Sequence, residues 1–243
     1  MTQVKFLLAA LLISVTGTII AKTQKEFSVL KKEEKKAGWT VIFDGKTTKG
    51  WRGYTKTSFP EKGWDIVDGS LHCCAKGGGG DLIFDKKLTN FELVLNWKIS
   101  KAGNSGIFIF AKEVPGNPIY YSAPEYQILD NERHPDAKAG KNGNRKSASL
   151  YDMIAANPQN AKPAGEWNEA RIVALNGNVE YWQNGVKVVQ FQIGSENWKK
   201  LCAESKFKNW PDFVNNPAKD GYIGVQDHGN DVWYKDIKLK VLK

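Results

Sequence analysis

Hydrophobic and polar residues alternate in short runs along most of this chain, and that pattern predicts β-strands. The clearest run is Phe91–Ile99, in which five apolar side chains occupy every second position. Because successive side chains of a strand point to opposite faces of a sheet, this run predicts a strand with one buried face and one solvated face. The continuously apolar run Ile107–Phe110 predicts a strand that is covered on both faces.

Similar runs recur at short intervals, with glycine, asparagine and aspartate between them. Further strands are predicted in the segments Trp39–Phe43, Trp64–Val67, Ser70–Cys74, Asp81–Phe84, Glu166–Ala174, Asn178–Gln183, Val186–Ile193, Gly221–Asp227 and Val232–Val241. Asp68-Gly69 and Asn184-Gly185 each separate two such runs, which is the signature of a tight hairpin. Ser195–Phe207 has the spacing of a helix, with Ser195 as N-cap. About a dozen strands with one short helix predict a single all-β domain, a β-sandwich or jelly roll.

One predicted strand carries polar residues where a core strand would be apolar. The segment Pro124–Asp130 reads Pro-Glu-Tyr-Gln-Ile-Leu-Asp, and strand alternation places Glu125 and Gln127 on the same face. Buried polar groups need partners, so we expect these two side chains to face a cleft. The long polar segment 131–163 follows, and loops of that length inside a compact domain are usually functional.

The amino-terminal segment has the pattern of a secretory signal peptide. Residues 1–21 contain Lys5, an apolar run and small residues around Ala21. An uncleaved anchor is the alternative, but the apolar run of about fifteen residues is short for a bilayer span. Residues 22–38 are a charged arm, and the jelly-roll domain is expected to cover 39–243. The expected location is therefore the periplasm or the outside of the cell, with no stable membrane span after signal cleavage.

Charge and cysteine content narrow the picture only slightly. The formal net charge is +9, but the lysines are scattered outside the arm and no arginine-rich stripe occurs, so nucleic acid is not an expected partner. Cys73 and Cys74 point to opposite faces of a predicted strand, while Cys202 lies far away in sequence. At most one disulfide is compatible with this spacing, from Cys202 to either of the other two.

The spacing of the carboxylates argues against ordinary glycosidase chemistry. A retaining glycosidase needs two carboxyl groups about 5–5.5 Å apart. Glu125 and Asp130 lie on opposite faces and about 16 Å apart along an extended strand, so they cannot form that pair. The three histidines, His72, His134 and His228, show no metal-ligand spacing, and no Gly-x-Ser-x-Gly motif is present.

A second set of polar residues ends the predicted strand Gly221–Asp227. Alternation gives Gln226 and His228 the same face. If this strand and the strand of Glu125 lie in one concave sheet, then Gln226 and His228 converge with Glu125 and Gln127. Such a set supplies a general acid or base, together with amides that hold hydroxyl groups or a carbonyl oxygen.

An ordered set of short motifs from about Trp39 to Val241 resembles a known family. The motifs are Phe43-Asp-Gly-Lys46, Asp81-Leu82, Asn104-Ser-Gly106, Glu125-x-Gln-Ile-Leu-Asp130, Leu150-Tyr151, Gly165-Glu-Trp-Asn168, Arg171-Ile-Val173 and Ile223-Gly-x-Gln-Asp-His-Gly229. In this order they resemble the family first described as DUF1080. Its members are 3-keto-disaccharide hydrolases, also described as 3-keto-glucoside 1,2-lyases and 3-keto-2-hydroxyglucal hydratases. The resemblance implies a concanavalin A-like jelly roll and a 3-keto-sugar or 3-keto-glycoside substrate.

The chemistry implied by this resemblance differs from ordinary glycoside hydrolysis. A ketone at C3 acidifies the proton on C2, so that a base removes it, the C1 substituent leaves by elimination, and water then adds to the glucal. The resemblance makes Glu125 and His228 the catalytic candidates and leaves open which is the base. Its candidates for substrate-binding or orienting residues are Asn104, Gln127, Asp130, Arg171 and Gln226. A divalent metal held by Glu125, His228 and His134 is compatible with the family, although the motifs require no cofactor.

Aromatic residues add candidates of a different kind. Tyr151, together with Tyr120 or Tyr121, is expected to line the cleft, because such rings stack on the apolar faces of sugars. A non-catalytic carbohydrate-binding domain is the main alternative function, since lectins share the jelly roll and fold does not fix function. A plain glycosidase is a third and weaker alternative.

Overall fold

The computed structural model describes residues 29–243, which form two antiparallel sheets packed face to face. The predicted signal peptide, residues 1–21, and the first part of the charged arm lie outside this range. Within it, no helix is both long enough and apolar enough to cross a membrane.

Thirteen strands and three short α-helices make up this part of the chain. The helices are α1 (Lys32–Lys36), α2 (Glu196–Ala203) and α3 (Pro211–Asn215). The strands are β1 (Trp39–Val41), β2 (Trp51–Gly53), β3 (Trp64–Val67), β4 (Ser70–Cys73), β5 (Leu82–Leu88), β6 (Phe91–Ile99), β7 (Asn104–Ala111), β8 (Glu125–Leu129), β9 (Asn168–Leu175), β10 (Asn178–Gln183), β11 (Val186–Gln192), β12 (Gly221–Val225) and β13 (Val232–Val241). Short 3₁₀ turns occur at Ile119–Tyr121, Pro135–Lys138 and Lys206–Asn209.

The two sheets differ in size. Sheet A has eight strands in the order β11-β10-β9-β6-β13-β4-β3, with β1 paired to β13. Sheet B has five, in the order β2-β5-β12-β7-β8. Sequence-distant strands lie side by side in both sheets, as in a jelly roll, so the predicted all-β sandwich is confirmed.

Burial follows the predicted alternation closely. In β6, every second side chain from Phe91 to Ile99 is buried. All eight residues of β7 are buried, because sheet B is covered on both faces at this point. The outer cover is a small apolar cluster of Ile83, Phe108, Ala111, Ile119 and Ala123, separate from the main core between the sheets.

Both predicted hairpins form. Asp68 and Gly69 have φ angles of 49° and 75°, and Asn184 and Gly185 have φ angles of 49° and 80°. Two consecutive residues with positive φ are the mark of the type I′ turn that joins twisted antiparallel strands. The registers of β3–β4 and β10–β11 are therefore set by turns that the sequence encodes locally.

The helical region is more broken than its sequence pattern predicts. The helix α2 begins as expected, with Ser195 Oγ accepting a hydrogen bond from the Trp198 amide at 3.1 Å. It ends at Ala203, before the predicted Phe207, because Ser205 caps a 3₁₀ turn by accepting from the Phe207 amide. A third helix, α3, was not predicted; it packs on this turn, with Phe207 and Phe213 ring centroids 4.5 Å apart.

The cysteines do not form the disulfide that their spacing allows. Cys73, Cys74 and Cys202 are all unbridged; Cys73 and Cys202 are buried in the core, and Cys74 is half-buried. The opposite orientation expected for Cys73 and Cys74 is confirmed.

Candidate active site

Four strands of sheet B bring polar residues to one place on its outer face. Val225 of β12 pairs with Leu82 of β5 and with Ile107 of β7, and all three side chains point into the core. Because side chains alternate along a strand, the next residues in the row point outward. The outward row consists of Asp81, Gln226, Gly106 and the side chain of Glu125 from β8.

Gly106 is the floor on which the Glu125 side chain lies. A Cβ atom at position 106 would come within 2.5 Å of Glu125 Oε1 and 2.9 Å of its Cγ. Contacts of that length are not tolerated, so any larger residue would push the carboxyl group away. The Asn104-Ser-Gly106 motif therefore contains a glycine for a steric reason connected with Glu125.

The carboxyl group of Glu125 is buried without a hydrogen-bond partner. Glu125 is 5% exposed, and no residue between 29 and 243 donates a hydrogen bond to its carboxyl oxygens. Burial raises the pKa of Glu125 to about 8; the charge of Lys206 lowers it, while Asp81 and Asp136 raise it further. A carboxylate in such surroundings is a stronger base than an exposed one when it is ionised.

Two amide oxygens near Glu125 also lack partners. Asn104 Oδ1 and Gln226 Oε1 are buried and accept no hydrogen bond within the described part of the chain. Asn104 precedes Gly106 by one same-face position of β7, and the Gln226 amide donates to the Gly106 carbonyl. Buried acceptors without donors are rare in folded proteins. Their grouping around Glu125 is what a ligand with several hydroxyl groups would satisfy.

The long polar loop places Tyr151 beside Glu125. Its segment Ala148–Tyr151 pairs with the outer edge of β8: the Gln127 amide donates to the Ser149 carbonyl and the Tyr151 amide donates to the Glu125 carbonyl. The Tyr151 hydroxyl donates to Asp136 Oδ2 at 2.7 Å. The loop thus forms one wall of the cleft.

Lys206 provides a cation at the opening of the cleft. Its ammonium group lies 4.2 Å from the ring centroid of Tyr151 and 4.8 Å from that of Tyr120. Loss of solvation lowers the pKa of Lys206, whereas the negative charges of Glu125, Asp152 and Asp136 act in the opposite direction. The charge of Lys206 is thus coupled to that of Glu125.

His228 lies at the other end of the row, in the turn after β12. The side chain is exposed, with Nε2 3.5 Å from Asn104 Nδ2, and its ring centroid is 6.3 Å from that of His134. His134 Nδ1 accepts from the Asp136 amide, and burial, reinforced by the charge of His228, lowers the pKa of His134. His228 therefore faces the same cleft as Asn104.

The set proposed from the sequence for a divalent metal is not assembled. Within residues 29–243, one group of three side chains has its potential ligand atoms within 4.8 Å of one another, and it does not include Glu125, His134 or His228. As placed, these three residues do not form a metal site.

Residues 38–240 match the sequence model of a family described as a 3-keto-alpha-glucoside-1,2-lyase-like domain. The chain belongs to this family. A 3-keto-disaccharide hydrolase of Bacteroides thetaiotaomicron is 51% identical, over 84% of this chain and 79% of that protein. The family resemblance drawn from the motifs is thereby confirmed.

Solved structures of other proteins share this fold. A putative glycosyl hydrolase from Parabacteroides distasonis superimposes with a TM-score of 0.80 at 33% identity, covering 90% of this chain and all of that one. A Bacillus subtilis protein of galectin-like fold gives a TM-score of 0.54 at 14% identity, covering 83% of this chain and 94% of that one. The second likeness concerns the fold alone.

Three residues expected to bind substrate are placed elsewhere or occupied otherwise. Arg171 lies on the outer face of sheet A, where it pairs with Glu92 and stacks over Trp182. It is therefore not part of the candidate site, which lies on sheet B. Asp130 anchors the loop instead, accepting from the Ala102 and Glu132 amides and from Arg133. Its acceptor positions are occupied by the protein itself.

Gln127 also has a structural role, because its side chain is buried and bonded to the protein itself. It shares the face of Glu125, as alternation predicts, but it is 1% exposed and its amide group donates to the Arg145 carbonyl at 3.4 Å. The side chain thus holds the long loop against β8.

Four residues of the site were not selected from the sequence. Asp81 stood inside a motif but carried no assigned role; burial, reinforced by the charge of Asp227, raises its pKa to about 6. Asp136 and Arg145 lie in the long polar segment, which has no periodicity, and the pairing of that segment with β8 brings them to the cleft. Lys206 falls near the end of the predicted helix, but it lies in a 3₁₀ turn that places its side chain against Tyr151. No local signal marks them.

Proposed function

We propose that this protein cleaves 3-keto-glycosides by elimination across C1 and C2 followed by addition of water, giving net hydrolysis. The observation that carries the proposal is the buried Glu125 carboxyl group without a hydrogen-bond partner, with the unpartnered Asn104 and Gln226 oxygens beside it. The relative named a 3-keto-disaccharide hydrolase supports the substrate class. By its predicted signal peptide, the protein would act in the periplasm or outside the cell.

Glu125 is the base in this proposal. It takes the proton from C2, and the electrons of the C–H bond form an enolate with the C3 carbonyl. Reformation of the C3 ketone then creates the C1–C2 double bond and expels the substituent on C1 with its bonding electrons. A buried carboxylate with a raised pKa suits a weakly acidic carbon, whereas the exposed His228 lies at the rim.

The remaining residues of the site bind the sugar, stabilise the enolate or donate a proton to the leaving group. Lys206, whose charge is coupled to Glu125, offsets the negative charge of the enolate. His228 protonates the departing oxygen. Asn104 and Gln226 accept hydrogen bonds from sugar hydroxyls. In the second half-reaction water adds its hydroxyl to C1 and gives its other proton to His228. Glu125, whose carboxyl proton has meanwhile exchanged with solvent, returns a proton to C2.

Solvent deuterium distinguishes this route from direct hydrolysis. The purified protein is incubated with a 3-keto-glucoside in D₂O, and the early product is analysed for aglycone and for deuterium at C2 of 3-ketoglucose. Elimination followed by hydration places solvent hydrogen at C2, whereas direct displacement at C1 retains the original proton. Product incubated alone in D₂O measures the non-enzymatic exchange that must be subtracted.

Release of aglycone without excess deuterium at C2 would refute the elimination route while leaving hydrolysis intact. Binding of ordinary sugars with no turnover of any 3-keto-glycoside would refute the enzymatic function and favour a carbohydrate-binding domain.

A further inference from the structure

A second cluster of chemically reactive side chains lies on the outer face of sheet A. Asp65 of β3 pairs in register with His72 of β4, and Cys74 follows His72 by two positions, so all three point away from the core. His72 Nδ1 is 2.8 Å from Asp65 Oδ1 and 3.8 Å from Cys74 Sγ. Their potential ligand atoms all lie within 4.8 Å of one another.

The imidazole ring of His72 is fixed in position and rotation. On its far side, Nε2 lies 3.0 Å from Asp231 Oδ1, an oxygen that also accepts from the Ala75 amide at 3.0 Å. One face of the ring stacks on Trp233, with centroids 4.8 Å apart and planes 10° apart. A carboxylate that accepts from one ring nitrogen leaves the lone pair of the other for a metal, which is the usual outer shell of histidine ligands.

We propose that Asp65, His72 and Cys74 bind a zinc ion, with Asp231 orienting the histidine. Thiolate, imidazole and carboxylate together are donors that zinc accepts. Around a tetrahedral zinc ion with bonds of about 2.0–2.3 Å, ligand atoms lie about 3.3–3.8 Å apart. The observed ligand atoms reach that arrangement if side-chain rotations displace them by about 1 Å. Asp65 is exposed and has room for such a movement. The fourth position faces solvent and takes water.

The proposed site ties the β3–β4 hairpin to the turn after β12. Asp231 follows His228 by three residues, and the Gly229 carbonyl of the same turn accepts from the Lys76 amide. The zinc ion would therefore steady the turn that carries His228. Its binding does not depend on the proposed reaction, and it is measured without substrate.

Metal titration of the intact protein tests the proposal. Protein freed of metal with a chelator is titrated with zinc by calorimetry and with cobalt by absorption spectroscopy. We expect one zinc ion per chain and, with cobalt, a thiolate-to-metal charge-transfer band in the near ultraviolet. Cys74→Ser should abolish that band, and Asp231→Asn should weaken zinc binding about 10- to 100-fold.

Asp68 of the same hairpin gives a matched control. Asp65→Asn and Asp68→Asn remove the same charge three residues apart, and asparagine tolerates the positive φ of position 68. We expect zinc affinity to fall at least tenfold in Asp65→Asn and to remain unchanged in Asp68→Asn. Both positions are exposed, so both variants should fold, which circular dichroism would verify.

Three results would overturn the proposal. These are the absence of a charge-transfer band in the wild-type protein, a band that survives in Cys74→Ser, and equal zinc affinities for Asp65→Asn and Asp68→Asn. The first would leave a hydrogen-bonded cluster without a metal, and the other two would place the metal elsewhere.

Discussion

Replacing Glu125 by glutamine should inactivate the protein and stabilise it at the same time. Glutamine has nearly the same shape, but its amide cannot take a proton from carbon. Positioned general bases contribute about 10²- to 10⁴-fold to rate, so kcat/KM should fall by about that factor, or about 3–5 kcal/mol of transition-state stabilisation.

The gain in stability follows from the raised pKa of Glu125. Its ordinary value is 4.5 and its value in the folded protein is about 8. Between these values the unfolded chain releases the proton while the folded protein retains it, so ionisation favours unfolding increasingly as pH rises. At about 1.4 kcal/mol per pH unit, the cost approaches about 5 kcal/mol at pH 8 and above, and it vanishes below about pH 4.

Unfolding by urea at several pH values measures this cost. The free energy of unfolding of Glu125→Gln should exceed that of the wild type by an amount that grows from about pH 4.5 to 8. Glu61→Gln, an exposed carboxylate, is the control and should show no such growth. A difference independent of pH, or a glutamine variant less stable at pH 8, would refute the assigned environment of Glu125.

The activity should depend on the ionisation of the same carboxyl group, that of Glu125. If Glu125 must be ionised to act as the base, kcat/KM should rise about tenfold per pH unit below about pH 8 and level off above it. A profile that falls over the same range would instead make Glu125 a proton donor in the rate-limiting step.

Three further substitutions are expected to separate positioning from chemistry. Gly106→Ala should lower kcat/KM about 100-fold, because its Cβ would displace the Glu125 carboxyl group by contact; steady-state kinetics at unchanged thermal stability would verify this. Lys206→Met should move the rising limb of the pH profile to higher pH, since Lys206 lowers the pKa of Glu125; a profile that does not move would contradict the coupling. Arg171→Ala should leave kcat/KM within twofold of the wild type, because its contacts lie on sheet A; a larger loss would return Arg171 to the site.

The fold was predictable because most of its signals are local. The alternation in β6 identifies its buried face, and the turn residues Asp68-Gly69 determine the register of β3 with β4. Both signals lie within a few residues of the element they determine. The outward direction of Glu125 was predictable for the same reason, since period-two alternation fixes it once the neighbouring Tyr126 is assigned to the core. What alternation could not predict was the distance between strands that are far apart in sequence.

For this reason the sequence assigned some residues to the site wrongly and missed others. Arg171 carries a charge on a strand, but only the sheet order shows that its strand lies in sheet A. Lys206 reaches the cleft because α2 stops at Ala203 and α3 packs against the turn that follows. Asp65, His72 and Cys74 come together only across a hairpin, so no fixed ligand spacing marks them in the sequence.

The unsatisfied groups of the cleft explain why the site stands out from the strand pattern. Asn104 Oδ1 and Gln226 Oε1 break the rule that buried polar atoms have partners, and each such atom costs about 1–3 kcal/mol. Beside them, burial raises the pKa of Glu125. At a functional site such violations are expected, because a ligand relieves them. A sugar with several hydroxyl groups and an acidic C–H bond relieves all three at once: its hydroxyls donate to the two amide oxygens, and its proton goes to the carboxylate. The strand β8 thus holds a carboxyl group in a buried position, which is what the proposed reaction requires.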